Sequence, residues 1–170
     1  MSAAVFLDRD GTLIEEVGYL DRPDRIALYP YAVDAIRALN RAGIRIVMVT
    51  NQSGVARGFF TEAELNVLHD WMCAELLAQG ARIDDVRYCP HHPDGIVEGY
   101  LENHHWRKPA PGMIHDLMAH WPVRHEGSFV IGDRDSDIEA AKAAGLPGFL
   151  FAGGDLDAFV AEVIAETGRR

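Results

Sequence analysis

The chain has 170 residues, 48% of them hydrophobic, a formal net charge of −10 and two cysteines. That length suits one domain around a single core, and the composition is that of a folded globular protein rather than a disordered one. The negative charge argues against nucleic acid, whose binding needs a basic face to displace counterions, and Cys73 and Cys89 alone make a disulfide scaffold unlikely.

The apolar run over residues 3–7 is too short for a helix and contains strand formers, so it reads as a buried strand. Its carboxyl end delivers Asp8 and Asp10 into a turn at Gly11. Residues 13–30, interrupted by Gly18, Pro23 and Pro30, read as loop. Val33, Ile36 and Leu39 at helical spacing predict a helix over 31–42, stopped by Gly43. A strand over 44–49 ends in the polar stretch Thr50-Asn51-Gln52-Ser53-Gly54. Thr61 and Glu64 form a capping box that opens a long helix with Leu65, Leu68, Met72 and Leu76 on its core stripe, closed by Gly80. A third strand over 83–88 precedes residues 89–107, which have no usable periodicity. The chain continues as a helix over 111–120, a strand over 128–131 leading into Gly132-Asp133, a helix over 138–144, a strand over 148–151 and a helix over 156–166.

Strands alternating with helices predict an α/β fold with a doubly wound, mainly parallel, Rossmann-like sheet. Ligands of such sheets bind beyond the carboxyl ends of the strands. Asp8, Asp10, Thr50, Asn51 and Asp133 all lie at such ends, so they are expected to converge although far apart in sequence.

Residues two apart in an extended segment point the same way, so Asp8 and Asp10 can face one pocket. Their repulsion calls for a divalent cation, and an all-oxygen site suits Mg²⁺. Taken alone, Asp8 to Thr12 would equally suit a plain turn, Thr50 to Gly54 a polar turn, and Arg107-Lys108 a solvated pair. Together, carboxylates from two strands, a hydroxyl from a third and that basic pair suggest phosphoryl transfer. One aspartate would attack phosphorus, and a second would protonate the leaving alkoxide and then activate water.

Asp8-Arg9-Asp10-Gly11-Thr12, Thr50-Asn51, Lys108-Pro109 and Gly132-Asp133 with Asp137 resemble the four motifs of the haloacid-dehalogenase-like phosphatases, in order and over nearly the whole chain. Gly18-Tyr19, the stretch from Thr50 to Gly54, Cys89-Pro90-His91-His92-Pro93 and Arg107-Lys108-Pro109 are similar to the branch that hydrolyses D-glycero-D-manno-heptose 1,7-bisphosphate and histidinol phosphate. The resemblance implies one phosphatase domain over 1–170, with a loop insert at 89–107. The connections after the first two strands look too short for a large cap domain. The resemblance further implies Asp8 as nucleophile and Asp10 as general acid/base, with Mg²⁺ held by Asp8, the backbone carbonyl of Asp10, and Asp133. Thr50 and Lys108 would bind the transferring phosphoryl group. Asn51, Gln52, Ser53, Arg107 and Arg134 would contact substrate, and Asp137 would support the site.

In that branch, structural zinc is usually held by Cys-x-His and by Cys-x-Cys immediately before Arg-Lys-Pro. Here Cys89 and His91 are kept, while His104 and Trp106 stand where the two later cysteines would be. Three donors remain of the four a closed site takes. Both zinc at Cys89, His91 and His104 and a metal-free loop packed by Trp106 stay open.

The expected partner is a small phosphorylated sugar, in the supply of heptose for lipopolysaccharide, with histidinol phosphate as the alternative substrate. No membrane partner is expected, because no apolar run approaches spanning length, and no signal-peptide layout is seen in residues 1–20. The expected protein is a cytoplasmic monomer. A phospho-receiver signalling domain would use similar residues. It would place its phosphorylated aspartate on a middle strand and an acidic pair on the first, an order this sequence does not follow.

Overall fold

The computed structural model describes residues 1–168. Its elements run β1 (Ala4–Leu7), α1 (Ala32–Arg41), β2 (Arg45–Asn51), α2 (Glu62–Ala78), β3 (Asp85–Cys89), α3 (Gly112–His120), β4 (Phe129–Gly132), α4 (Asp135–Ala143), β5 (Gly148–Leu150) and α5 (Leu156–Thr167). One 3₁₀ turn, Pro23–Arg25, interrupts the loop after β1.

The five strands form one sheet in the order β3-β2-β1-β4-β5, and every pairing is parallel. Side chains alternate across a strand, so the sheet sorts its apolar residues into two layers. Val5, Leu7, Ile46, Met48, Phe129 and Ile131 face one way, onto Ile36 and Leu39 of α1, Leu65, Leu68, Met72 and Leu76 of α2, and Val160 and Val163 of α5. Ala4, Phe6, Val47, Val49 and Val130 face the other way, onto Met113, Ile114 and Leu117 of α3 and Ala140 and Ala141 of α4. Each fully buried large aliphatic or aromatic side chain contributes about 1.5–3 kcal/mol. Covering both faces is what makes the near-continuous apolar strands of a doubly wound sheet stable.

Two boundaries differ from the sequence expectation in ways that matter for the site. β2 continues to Asn51, pairing Thr50 with Tyr88 and Asn51 with Cys89, so both polar residues stand on the strand rather than in a loop. α4 begins at Asp135 rather than at 138. Asp135 and Asp137 in its first turn favour the positive end of the helix dipole, and the Arg134 N–H donates to Asp137 Oδ2 at 3.2 Å. The segments after β1 and β2 hold no further α-helix or strand among the described residues, so no large cap covers the strand ends. No helix among the described residues is long and apolar enough to cross a membrane.

Candidate active site

β1 lies at the centre of the sheet, with β2 on one side and β4 on the other, and the chain winds outward from it in both directions. That reversal opens a crevice at the carboxyl end of β1, where open α/β sheets bind ligands. A cleft of about 290 Å³ occupies the position, lined by Asp8, Asp10, Thr50, Asn51, Gln52, Ser53, Arg107, Lys108, Arg134 and Asp137. Every expected site residue outside the 89–107 loop lines it except Asp133, which stands beside Asp8. Tyr19 of the Gly18-Tyr19 motif lines the cleft too, together with Glu16 and Ser136, to which the sequence reading gave no role.

Gly11 holds the turn after β1 with φ +82°, and a Cβ there would collide with the Asp133 carboxylate. Only glycine gives both the left-handed backbone and the close approach of the β1 turn to β4. Gly132 serves only the close approach of α4, because a Cβ at that position would meet the Asp137 carboxylate.

The carboxylates of Asp8, Asp133 and Asp137 place oxygens within 4.8 Å of one another. One cation of the chain reaches into the group. The Lys108 ammonium, buried, donates to Asp8 Oδ1 at 3.0 Å, to the Val49 carbonyl at 2.9 Å and to Asp137 Oδ1. Burial alone would lower its pKa, but the two carboxylates outweigh that and raise it, so Lys108 stays charged. Asp8 is pushed up to about 7, first by burial, against the opposing pull of Lys108 and with the added repulsion of Asp137. Asp133 Oδ1 is buried and finds no hydrogen-bond partner among the described residues. Three carboxylates against one ammonium leave an excess of negative charge, and with Asp133 Oδ1 unpartnered they make an oxygen set that suits a hard divalent cation.

Asp10 stands apart from that group, and its carboxylate is held by Arg9. The guanidinium forms a fork, Nε to Oδ1 at 3.1 Å and Nη2 to Oδ2 at 2.9 Å. Arg9 is 1% exposed and Asp10 16%, so this is a part-buried, bidentate pair of the stronger kind. Gln52 joins it to the next strand, accepting from Arg9 Nη2 at 3.2 Å while its amide donates to Asp10 Oδ2 at 3.2 Å and to Thr50 Oγ1 at 2.9 Å. Both ends of Gln52 are therefore engaged within the protein.

Asn51 is similarly committed. Its side chain accepts from the Lys108 N–H and donates to the Lys108 carbonyl, both at 3.0 Å, pinning the backbone that presents the lysine. Ser53 Oγ accepts from Arg57 Nε at 3.4 Å. The Arg107 guanidinium lines the cleft without a hydrogen bond or ion pair among the described residues. Burial lowers its pKa, and the nearby Arg57 and Arg134 add to that. Arg134, exposed, lies 3.8 Å from Glu16. A chain with an overall excess of acid thus gathers guanidinium groups at the mouth of its cleft.

The 89–107 loop assembles a different set from the one expected. His91 and His104 stack with ring centroids 4.4 Å apart, and their nitrogens lie 3.6 and 4.0 Å from Glu102 Oε1. These three residues bring their donor atoms within 4.8 Å of one another, but Cys89 is not in the group. Cys89 is fully buried in the core layer beneath α3, where burial pushes its thiol up, and Trp106 packs against the same layer. A structural zinc site closes with four donors. The described residues gather three, one of them the exposed Glu102.

A model of the HAD-hydrolase-like family matches residues 105–165. A protein of Rhodopseudomonas palustris named D-glycero-beta-D-manno-heptose-1,7-bisphosphate 7-phosphatase is 53% identical over 166 residues, covering 98% of this chain and 92% of that protein. One of the same name from Escherichia coli K12 is 41% identical over 141 residues, 83% of this chain and 74% of its own. Among solved structures, D,D-heptose 1,7-bisphosphate phosphatase from B. bronchiseptica, complexed with magnesium and phosphate, superposes with a TM-score of 0.80 at 31% identity, covering 99% of this chain and 97% of that one. With the parallel sheet, the acidic crevice and these relatives in agreement, the chain belongs to the haloacid-dehalogenase-like phosphatases, in the branch of the heptose-1,7-bisphosphate 7-phosphatases, and is a phosphoric monoester hydrolase.

Proposed function

We propose that the protein removes the 7-phosphate of D-glycero-D-manno-heptose 1,7-bisphosphate through an aspartyl-phosphate on Asp8. The observation that carries this reading is the 53% identical relative of that name, aligned over 98% of the chain. The cleft supports it with a nucleophile, an acid/base, a buried ammonium and a rim of guanidinium groups, the last suited to a second phosphate on the substrate.

The donor set of Asp8 and Asp133, with the backbone carbonyl of Asp10, would hold Mg²⁺, which when bound neutralises carboxylate and phosphoryl charge. It would also keep Asp8 ionised despite the burial that pushes its pKa up. Asp8, as the carboxylate, attacks phosphorus as the bond to the C7 oxygen breaks. Asp10 gives its proton to the departing alkoxide, and Arg9 stabilises the carboxylate that remains. Lys108 and the Thr50 hydroxyl steady the equatorial oxygens. Asp10 then takes a proton from the water that attacks phosphorus, releasing phosphate and restoring Asp8. Arg107 and Arg134 at the rim would meet the 1-phosphate. A cytoplasmic setting agrees with such a sugar phosphate.

³¹P NMR of the reaction with Mg²⁺, run on both anomers of the heptose bisphosphate, tests the regiochemistry. The expected result is loss of the C7 ester signal with the anomeric phosphate retained. Loss of the anomeric phosphate, or no turnover of either anomer, would overturn the proposal.

A further inference from the structure

Arg9 is an unusual residue to find fully buried, and its burial makes demands that the catalytic carboxylate alone does not meet. A guanidinium carries five N–H donors in a rigid plane and accepts nothing. The Asp10 fork uses one edge, and Gln52 takes a further bond from Nη2. The remaining terminal nitrogen, Nη1, lies 3.0 Å from Nε2 of His69, a buried residue on α2, sixty positions along the chain and outside the cleft. Because Arg9 only donates, Nε2 must accept, and the imidazole is neutral with its proton on Nδ1. Burial, with the Arg9 charge beside it, pushes the imidazole down to about 3, which keeps the ring neutral, while its buried Nδ1 finds no hydrogen-bond partner among the described residues.

The guanidinium is thus fixed at three corners, by Asp10, Gln52 and His69. Only Asp10 of this frame performs chemistry in the mechanism above, and its carboxylate is the more open member of the pair. Removing the acceptor at Nη1 would leave a buried N–H unpaired and free the plane to turn about its stem. The fork would turn with it. A displacement of this kind, small in ångströms, is costly where a proton must pass between aligned atoms.

We propose that His69 is a positioning residue for the general acid/base: by accepting from Arg9 Nη1 it fixes the plane of the guanidinium, and through it the orientation of the Asp10 carboxylate. The inference rests on the acid/base role given to Asp10. It assigns to α2, which otherwise serves as a core helix, one side chain that acts on the reaction from beneath the site.

The test compares kcat/KM for two phosphomonoesters, because departure of the leaving group falls within that constant. One is the sugar bisphosphate that the wild-type enzyme turns over best, whose alkoxide needs a proton. The other is 4-nitrophenyl phosphate, whose phenolate leaves with little help. His69→Leu is expected to lose about 10-fold or more on the sugar phosphate but less than about 3-fold on the aryl ester, with the sugar phosphate KM nearly unchanged. His69→Gln, whose amide oxygen can accept from Arg9, is expected to restore the sugar phosphate rate to within about 3-fold of wild type. His69→Phe, which keeps a ring in the buried site but offers Arg9 Nη1 no acceptor, is expected to give the same selective loss and serves if His69→Leu fails to fold. Equal losses on both esters, or no rescue by His69→Gln, would overturn the proposal. Asp10→Asn run alongside separates the two readings. If it shows the selective loss and the other variants do not, the positioning role alone is wrong. If it shows no selectivity, the acid/base role and the proposal built on it both fall.

Discussion

Burial sets the ionisation of the residues around the cleft in opposite directions, and each direction has a consequence. His69 is buried and faces the Arg9 guanidinium, so its charged form is disfavoured and its pKa is lowered to about 3. The unfolded chain, with a histidine near 6.5, binds one more proton than the folded chain between those values. Stability from this residue is therefore fully present above pH 6.5 and is lost as pH falls towards 3, about 2 kcal/mol of it by pH 5. Denaturant titrations of wild type and His69→Gln at pH 7 and pH 5 are expected to show a larger fall for wild type. Equal falls would contradict the buried neutral imidazole. Asp8 requires a simpler test. Asp8→Asn keeps the size of the side chain but removes the nucleophile, and it is expected to abolish turnover while leaving the circular dichroism spectrum unchanged. Retained turnover would sink the nucleophile assignment.

At the scale of elements, the site depends on how closely the ends of β1, β2 and β4 approach. Gly11 is where that approach is tightest, since its left-handed backbone leaves no room for a side chain against Asp133. Gly11→Ala is expected to cost about 1–3 kcal/mol of stability and to lower kcat by about 100-fold, through displacement of Asp133. A variant with wild-type kcat would show that the approach is not needed. The strands and helices were largely legible in the sequence, because apolar alternation, helical spacing and capping residues are local signals. The positions of Asp8, Asp133 and Lys108 were legible because each follows from a strand end or a short motif. What could not be read was side-chain commitment. Asn51 and Gln52 look free to meet substrate in a polar stretch, yet both are engaged by bonds to Lys108, Asp10 and Thr50. Arg9 stands in the first motif without a role assigned to it, and nothing in its neighbourhood along the chain points to His69. The loop after β3 left two alternatives open for the same reason: Cys89 ends a strand whose alternation turns it into the core.

For the whole molecule, a charge of −10 repels anionic substrates at long range, so recognition must be local. The cleft answers with buried Lys108 inside and Arg107 and Arg134 at its mouth, and no large cap closes over them. Such an open mouth leaves selection to the loops around it, which fits a phosphorylated sugar carrying a second phosphate. The most direct measurement is kcat/KM with Mg²⁺ for heptose 1,7-bisphosphate, histidinol phosphate and fructose 1,6-bisphosphate under one set of conditions. A preference for the heptose of about 100-fold or more is predicted, equivalent to about 2.7 kcal/mol of transition-state discrimination. A flat profile, or a preference for histidinol phosphate, would contradict the account.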